Sequence, residues 1–345
     1  MTHDIVKKLG LPRIIIIAFV IFLFVVAGVQ GQNMATLMTD SLTRFGMNLV
    51  FSLAMLPAIM SGIGLNMGLP IGIVCGLLGG LVSIEAGVSP LMGLVIAISI
   101  AAAVGLAVGV VYGKLLNRVK GSEMLIGNYL GSCVIYLMCM FWFTAPFKDP
   151  AIIWPMGGAG IRTTVALTGY YEKILLNFLS FKVFGVTIPT GMLLFGAGVC
   201  ALIYFFSSSK TGITLQAVGN NPSYANAAGI NVNRARVIGA AFSTALGALG
   251  IIIYAQSYGF FQMYEAPLTM SFVPMAAVLL GGATLKRANI WHAVIGTFLF
   301  QSMLTIALPV ANQMFPDGDI SEMIRIMTSN GIILYALAQA GEQDS

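Results

Sequence analysis

The sequence predicts an all-α integral membrane protein of about ten transmembrane helices, with both termini on the cytoplasmic side. Three observations carry that expectation. Of 345 residues, 58% are apolar and only 8% are charged, against roughly 25% charged in ordinary soluble domains. The apolar residues fall into runs near the ~20 residues that cross a bilayer. The basic residues collect in alternate connectors, which is the positive-inside pattern.

The runs lie at 13–30, 46–62, 68–86, 91–113, 123–145, 189–208, 237–258, 268–284, 290–309 and 323–340. The first follows Lys7, Lys8 and Arg13 and lacks a small-residue cleavage site, so it reads as a retained span. The second and third are interrupted by Pro57, Gly62, Gly64 and Pro70. Broken backbone at membrane depth is tolerated only where protein or a water-filled cavity covers it, which makes this junction a candidate pathway. With the N-terminus inside, the inner segments hold Lys7, Lys8, Arg13, Lys114, Arg118, Lys120, Lys210, Arg234, Arg236, Lys286 and Arg287, eleven of the seventeen basic residues. Asp149, Glu172, Glu265, Asp317, Asp319 and Glu322 fall outside. The net charge of +5 is thereby explained by membrane topology, not by nucleic-acid binding.

The whole chain, 1–345, reads as a single transmembrane domain with two long polar connectors. The outer one, 146–188, carries an amphipathic run from Tyr171 to Phe181 that suggests an interfacial helix. Five runs precede it and five follow, so the two halves are opposite in orientation, although no sequence repeat relates them. The inner one, 209–236, is long enough to dock a cytoplasmic partner. Within it Asn220 or Asn221 can cap a helix over about Pro222 to Ala228, with Pro222 in the first turn and Gly229 as the stop. Its small face, Ala225, Ala227 and Ala228, suits a groove on another protein.

Gly68, Gly72, Gly76 and Gly80 recur every fourth residue, as do Gly105, Gly109 and Gly113. Such smooth faces let helices approach closely in lipid. Packing within one subunit is the plain reading; a subunit interface or a substrate-lining face is the alternative. Cys75, Cys133, Cys139 and Cys200 lie in apolar runs without CxxC spacing and read as packing residues. His3 and His292 are too far apart to suggest a metal or nucleophile centre. Intramembrane amides are costly unless paired or wetted, so Asn48, Asn66, Asn128 and Gln301 are pathway candidates or interhelical hydrogen bonds. Asn66 and Asn128 lead, because Asn66 lies in the broken segment.

The inner connector GITLQAVGNNPSYANAAGINVNRAR (212–236) resembles the cytoplasmic coupling segment of ABC importer permeases for ribose-type sugars, ribonucleosides and branched-chain amino acids. The positions that carry the resemblance are Gly212, Ala217, Gly219, Asn220 or Asn221, Ala227, Ala228, Gly229, Ile230, Val232 and Arg234. AAVLLGGATLKRANIWHAVIGTFLF (276–300) and Asn330–Leu334 are similar to later segments of the same family. In the first half SGIGLN (61–66) has Gly64 where ribose-type permeases carry an acid. Glu123, Asn128 and Tyr129, then Lys148-Asp149-Pro150, look like elements of ribonucleoside permeases, and Asn66 and Gly68 are similar to their N-x-G motif.

The resemblance implies a type II importer fold in a bacterial cytoplasmic membrane and a small polar solute, a sugar or nucleoside. It implies three kinds of protein partner besides membrane lipid: ABC ATPase subunits, an extracytoplasmic solute-binding protein, and a second permease copy or a paralogue. ATP and Mg would be bound by the ATPase; this chain has no G-x-x-x-x-G-K-S/T loop and no cofactor is expected in it. The coupling role falls on Gly219, Asn220, Asn221, Ala227, Ala228 and Gly229, and the substrate pathway on Asn48, Asn66, Asn128 and Tyr129. A self-sufficient carrier or channel is the competing class. It usually places ionisable residues at mid-membrane, whereas Glu85, Glu265 and Glu322 fall near outer ends.

Overall fold

The computed structural model describes residues 11–154, 160–264 and 266–314, with isolated positions between 323 and 334. Helices occupy nine of the ten expected apolar runs; the tenth, 323–340, lies outside the described residues apart from those positions. Among the described residues six helices are long and apolar enough to cross a membrane: α2 (Met34–Met60), α4 (Pro90–Leu116), α5 (Glu123–Thr144), α7 (Thr190–Ser208), α10 (Val232–Tyr258) and α13 (Ile290–Met314). Three shorter apolar helical stretches accompany them: α1 (Leu11–Val29), α3 (Leu69–Glu85) and the pair α11 (Ala266–Thr269) and α12 (Phe272–Leu280). The chain is a multi-pass membrane protein.

Several boundaries move outward from the apolar runs, and capping explains them. α2 starts at Met34 and continues through Asp40 and Arg44, because the Asn33 side chain accepts from the N–H groups of Ala35 and Thr36. α10 likewise begins ahead of Arg234 and Arg236, capped by Asn231, which accepts from the Arg234 N–H at 2.9 Å.

α10 is the axis of the bundle, packed against α2, α3 and α4. The glycine series supply the close approach. A Cβ on Gly72 would lie 2.4 Å from the Thr244 carbonyl oxygen, and one on Gly76 would lie 2.3 Å from that of Ala248. Gly105, Gly109 and Gly113 of α4 meet the backbone of Ala245, Ala241 and Val237 in the same way. α10 is thus gripped between two glycine faces of its own chain. Gly80 lies under the ring of Phe261, and Gly68 under that of Tyr112. α13 packs on α2, α12 and α1, while α5 and α7 flank the bundle against α3 and α2.

Between α5 and α7 the chain forms β1 (Thr164–Ala166), a single helical turn α6 (Ile174–Asn177), and a hairpin of β2 (Phe181–Val183) with β3 (Val186–Ile188). β1 pairs antiparallel with β4 (Phe260–Gln262), which follows α10. The helix expected from Tyr171 to Phe181 is therefore reduced to one turn. Lys173 and Leu179 both take φ +52°, a left-handed conformation that interrupts a helix on either side. Tyr171 is buried, donating its hydroxyl to the Gly80 carbonyl at 3.0 Å. In the same segment the carboxylate of Glu85 accepts the N–H groups of Lys148 and Asp149. Asp149 in turn accepts the hydroxyl of Tyr170; burial, with that carboxylate beside it, raises the Tyr170 phenol above its ordinary value.

Candidate functional site

The junction between α2 and α3 is the broken backbone expected from the sequence. Gly62 and Gly64 adopt φ +74° and +86°, which a side chain would strain, so the chain can turn sharply and re-enter as α3. Asn66, buried at the turn, satisfies the junction from within. Its amide nitrogen donates to the Ser243 hydroxyl at 2.7 Å, and its carbonyl accepts the Gly68 N–H and the Tyr112 hydroxyl, both at 3.0 Å. One side chain thereby ties the α2–α3 junction to α4 and α10.

α5 lies directly beside this node. A Cβ on Gly127 would stand 2.8 Å from the Tyr112 hydroxyl and 3.3 Å from the Gly68 nitrogen. Its neighbour Asn128 is half-buried, and its side-chain amide makes no hydrogen bond among the described residues. Tyr129 is 65% exposed, on a face that continues through Cys133 and Tyr136, while Gly127, Gly131, Ile135 and Trp142 turn inward. The structure brings Asn128 and Tyr129 next to the Asn66 node. Asn48 is elsewhere: it donates to the Arg44 carbonyl at 2.9 Å, on a turn of α2 whose Gly46 packs on Met192 and whose Phe45 meets Phe298.

The long connector contains two helices, α8 (Lys210–Asn220) and α9 (Pro222–Ala227). Ser209 caps α8 by accepting from the Gly212 N–H, and Asn221, not Asn220, caps α9 by accepting from Tyr224 at 3.0 Å. α9 closes as the sequence anticipates at Gly229, φ +81°, with Gly229 donating to Asn226 and Ile230 to Ala225. Ala227, Ala228 and Gly229 are exposed. Ala225 is not part of that free face; it is buried in a small cluster with Leu215, Val218 and Ala235. Gly72, Gly76 and Gly80, in contrast, face the interior of this chain, as described above.

Gly219 meets the α2–α3 junction backbone to backbone. A Cβ there would lie 2.4 Å from the Met60 carbonyl oxygen and 3.2 Å from the Gly62 nitrogen. The connector therefore touches the turn that Asn66 holds.

In the sequence Arg236 falls in an inner segment and Glu123 opens the run 123–145 just after the inner Lys120, but no local pattern pairs them. They form an ion pair that is 12% and 8% exposed. Arg236 also reaches the Gly62 carbonyl, and Glu123 accepts the Gly121 N–H at 2.8 Å. Opposite charges at the ends of two spans on one side were the available signal. Among the described residues no group of three His, Cys, Asp or Glu side chains is placed to hold a metal.

A helical bundle with a broken central junction, in backbone contact with a polar connector, places the chain among the multi-pass α-helical membrane proteins. Residues 34–329 match the family described as branched-chain amino acid transport system / permease component, and the chain belongs to that family. It is similar to the nucleoside ABC transporter permease protein NupB of Lactococcus lactis subsp. cremoris (strain MG1363), at 25% identity over 164 residues. That alignment covers 47% of this chain and 42% of the relative, so the match spans less than half the length of that protein. No solved structure matches.

Proposed function

We propose that this chain is the membrane-spanning subunit of an ATP-driven importer that moves a small polar solute, a simple sugar or nucleoside, across a bacterial cytoplasmic membrane. The observation that carries the reading is the backbone contact of Gly219 with Met60 and Gly62. It gives a partner docked on the connector direct mechanical access to the junction at the centre of the bundle. The family and the nucleoside-permease relative support it.

In this reading there are ten spans, both termini are cytoplasmic, and the connector faces the cytoplasm. ABC ATPase subunits bind ATP and Mg and engage Asn220, Ala227, Ala228 and Gly229. A binding protein delivers solute at the opposite face. The face of α5 that carries Tyr129, Tyr136 and the half-buried Asn128 lines the pathway together with a second permease copy or a paralogue. Its phenol rings can stack on a planar base, and its hydroxyls and amide can hydrogen-bond a sugar.

Gentle extraction of the tagged chain from its native membrane, followed by mass spectrometry, tests this. An ABC ATPase in near-equal amount, lost on Gly229→Val, is the expected result. Recovery of the chain alone, active in transport after reconstitution, would make it a self-sufficient carrier instead. Ligand screening of the co-purified binding protein then identifies the solute.

A further inference from the structure

On the connector side of the bundle, a cleft of about 500 Å3 opens between the ends of α2 and α7, helix α8 and the loop from α12 to α13. Its floor is apolar: Leu56, Met60 and Ile203, all buried. Its rim is cationic and polar, with Lys286, Arg287 and the amide of Asn220. Among the described residues no carboxylate lines it and the Arg287 guanidinium has no acidic partner.

The walls show what kind of molecule fits. Tyr204 of α7 and Trp291 of α13 flank the opening, and Trp291 is 71% exposed. Amphipathic rings in such positions mark the boundary between hydrocarbon and headgroups. Beyond them the outer faces of the same helices are apolar and uncovered, with Leu202 and Phe205 on α7 and Ile295 on α13. The cleft therefore opens sideways onto surface suited to acyl chains as well as toward water.

We propose that this cleft binds one anionic phospholipid, its phosphate on Arg287 and an acyl chain along the Tyr204–Trp291 opening. A free anion would gain nothing from the apolar floor, and a zwitterionic lipid would gain less from the cation, because its own ammonium group offsets its phosphate. Met60 belongs to both the cleft floor and the Gly219 contact, and Asn220 belongs to both the rim and α8. A bound lipid thus braces α8 against the end of α2. This inference needs only that the chain spans a membrane and stands apart from the identity of the transported solute.

Native mass spectrometry of the purified full chain, titrated with phosphatidylglycerol or phosphatidylcholine, tests it. Phosphatidylglycerol is expected to be retained preferentially as a single adduct. Arg287→Gln should weaken that retention by roughly fivefold, the equivalent of about 1 kcal/mol for one interfacial cation. Trp291→Ala, which leaves the charges intact, should weaken both lipids alike. Equal retention of the two lipids by the native chain would overturn the proposal. So would displacement of phosphatidylglycerol by inorganic phosphate alone, which would indicate a site for soluble anions. Unchanged lipid retention in Arg287→Gln together with loss of a co-purifying protein would assign the cleft to a protein interface and likewise overturn it.

Discussion

Arg236 and Glu123 form a nearly sealed ion pair across the connector-side ends of α10 and α5, with side chains 8% and 12% exposed. The pair also reaches the broken junction, because Arg236 contacts the Gly62 carbonyl. Removing one member strands the other charge away from water, at a typical cost of roughly 3–5 kcal/mol. Removing both costs far less. Thermal unfolding in detergent should therefore show a large loss for Glu123→Gln and for Arg236→Met, and a smaller loss for the double variant than the two singles sum to. Strictly additive losses would mean that the two charges do not act as a pair.

The Gly219 contact makes a sharper demand on shape. Any side chain at Gly219 meets the Met60 carbonyl at 2.4 Å, and backbone cannot rotate aside. Gly219→Val should leave the chain inserted in the membrane but lift α8 off the junction. If the chain is the importer subunit proposed above, ATP-driven uptake in proteoliposomes is then expected to fall at least tenfold, with ATPase activity no longer stimulated by the solute-loaded binding protein. Normal solute-stimulated hydrolysis in this variant would remove the contact from the coupling route.

Glycine faces allow an internal control. A Cβ on Gly76 would stand 2.2 Å from Cγ2 of Ile251 and 2.3 Å from the Ala248 carbonyl, whereas one on Gly198 of α7 meets nothing within 4 Å. Overpacking at such a site typically costs ~1–3 kcal/mol, and more against backbone. Gly76→Leu should sharply lower the yield of folded protein, while Gly198→Ala should leave it unchanged. Equal yields, read by fluorescence-detected size-exclusion chromatography, would show that the α3–α10 approach is not that tight.

What could be read from the sequence divides along the range of the forces involved. The helices over the apolar runs were legible because composition alone forces them into lipid. The α9 turn was legible because its signals, Asn221, Pro222 and Gly229, all lie within one short stretch. α8 was missed: its two glycines weaken any local helix signal, and Gly219 is there for a neighbour 157 residues away at Gly62. The pairing of Glu123 with Arg236 and of Asn66 with Ser243 spans 113 and 177 positions, which no local pattern encodes. The interfacial helix failed for the opposite reason. Its amphipathic period was genuine, but left-handed backbone at Lys173 and Leu179 stopped it after one turn.

The same distinction separates the pathway candidates, and stability and affinity should split accordingly. Asn66 directs its amide wholly inward, to Ser243, Tyr112 and the Gly68 N–H. Asn66→Ala leaves those groups without a partner, at about 1–3 kcal/mol for a buried polar group. It should lower the thermal midpoint while the apparent affinity of the surviving protein for solute stays the same. Asn128→Ala and Tyr129→Ala remove groups that make no internal hydrogen bond through their side chains among the described residues. They should leave stability unchanged and weaken apparent affinity about tenfold, a common consequence of losing one polar contact. Transport by reconstituted protein, measured beside thermal unfolding of the same preparations, separates the two outcomes. Weakened affinity at full stability in Asn66→Ala would instead put its amide in contact with the solute. The junction would then line the pathway from within the subunit, and the α5 face would be left for lipid or a second copy.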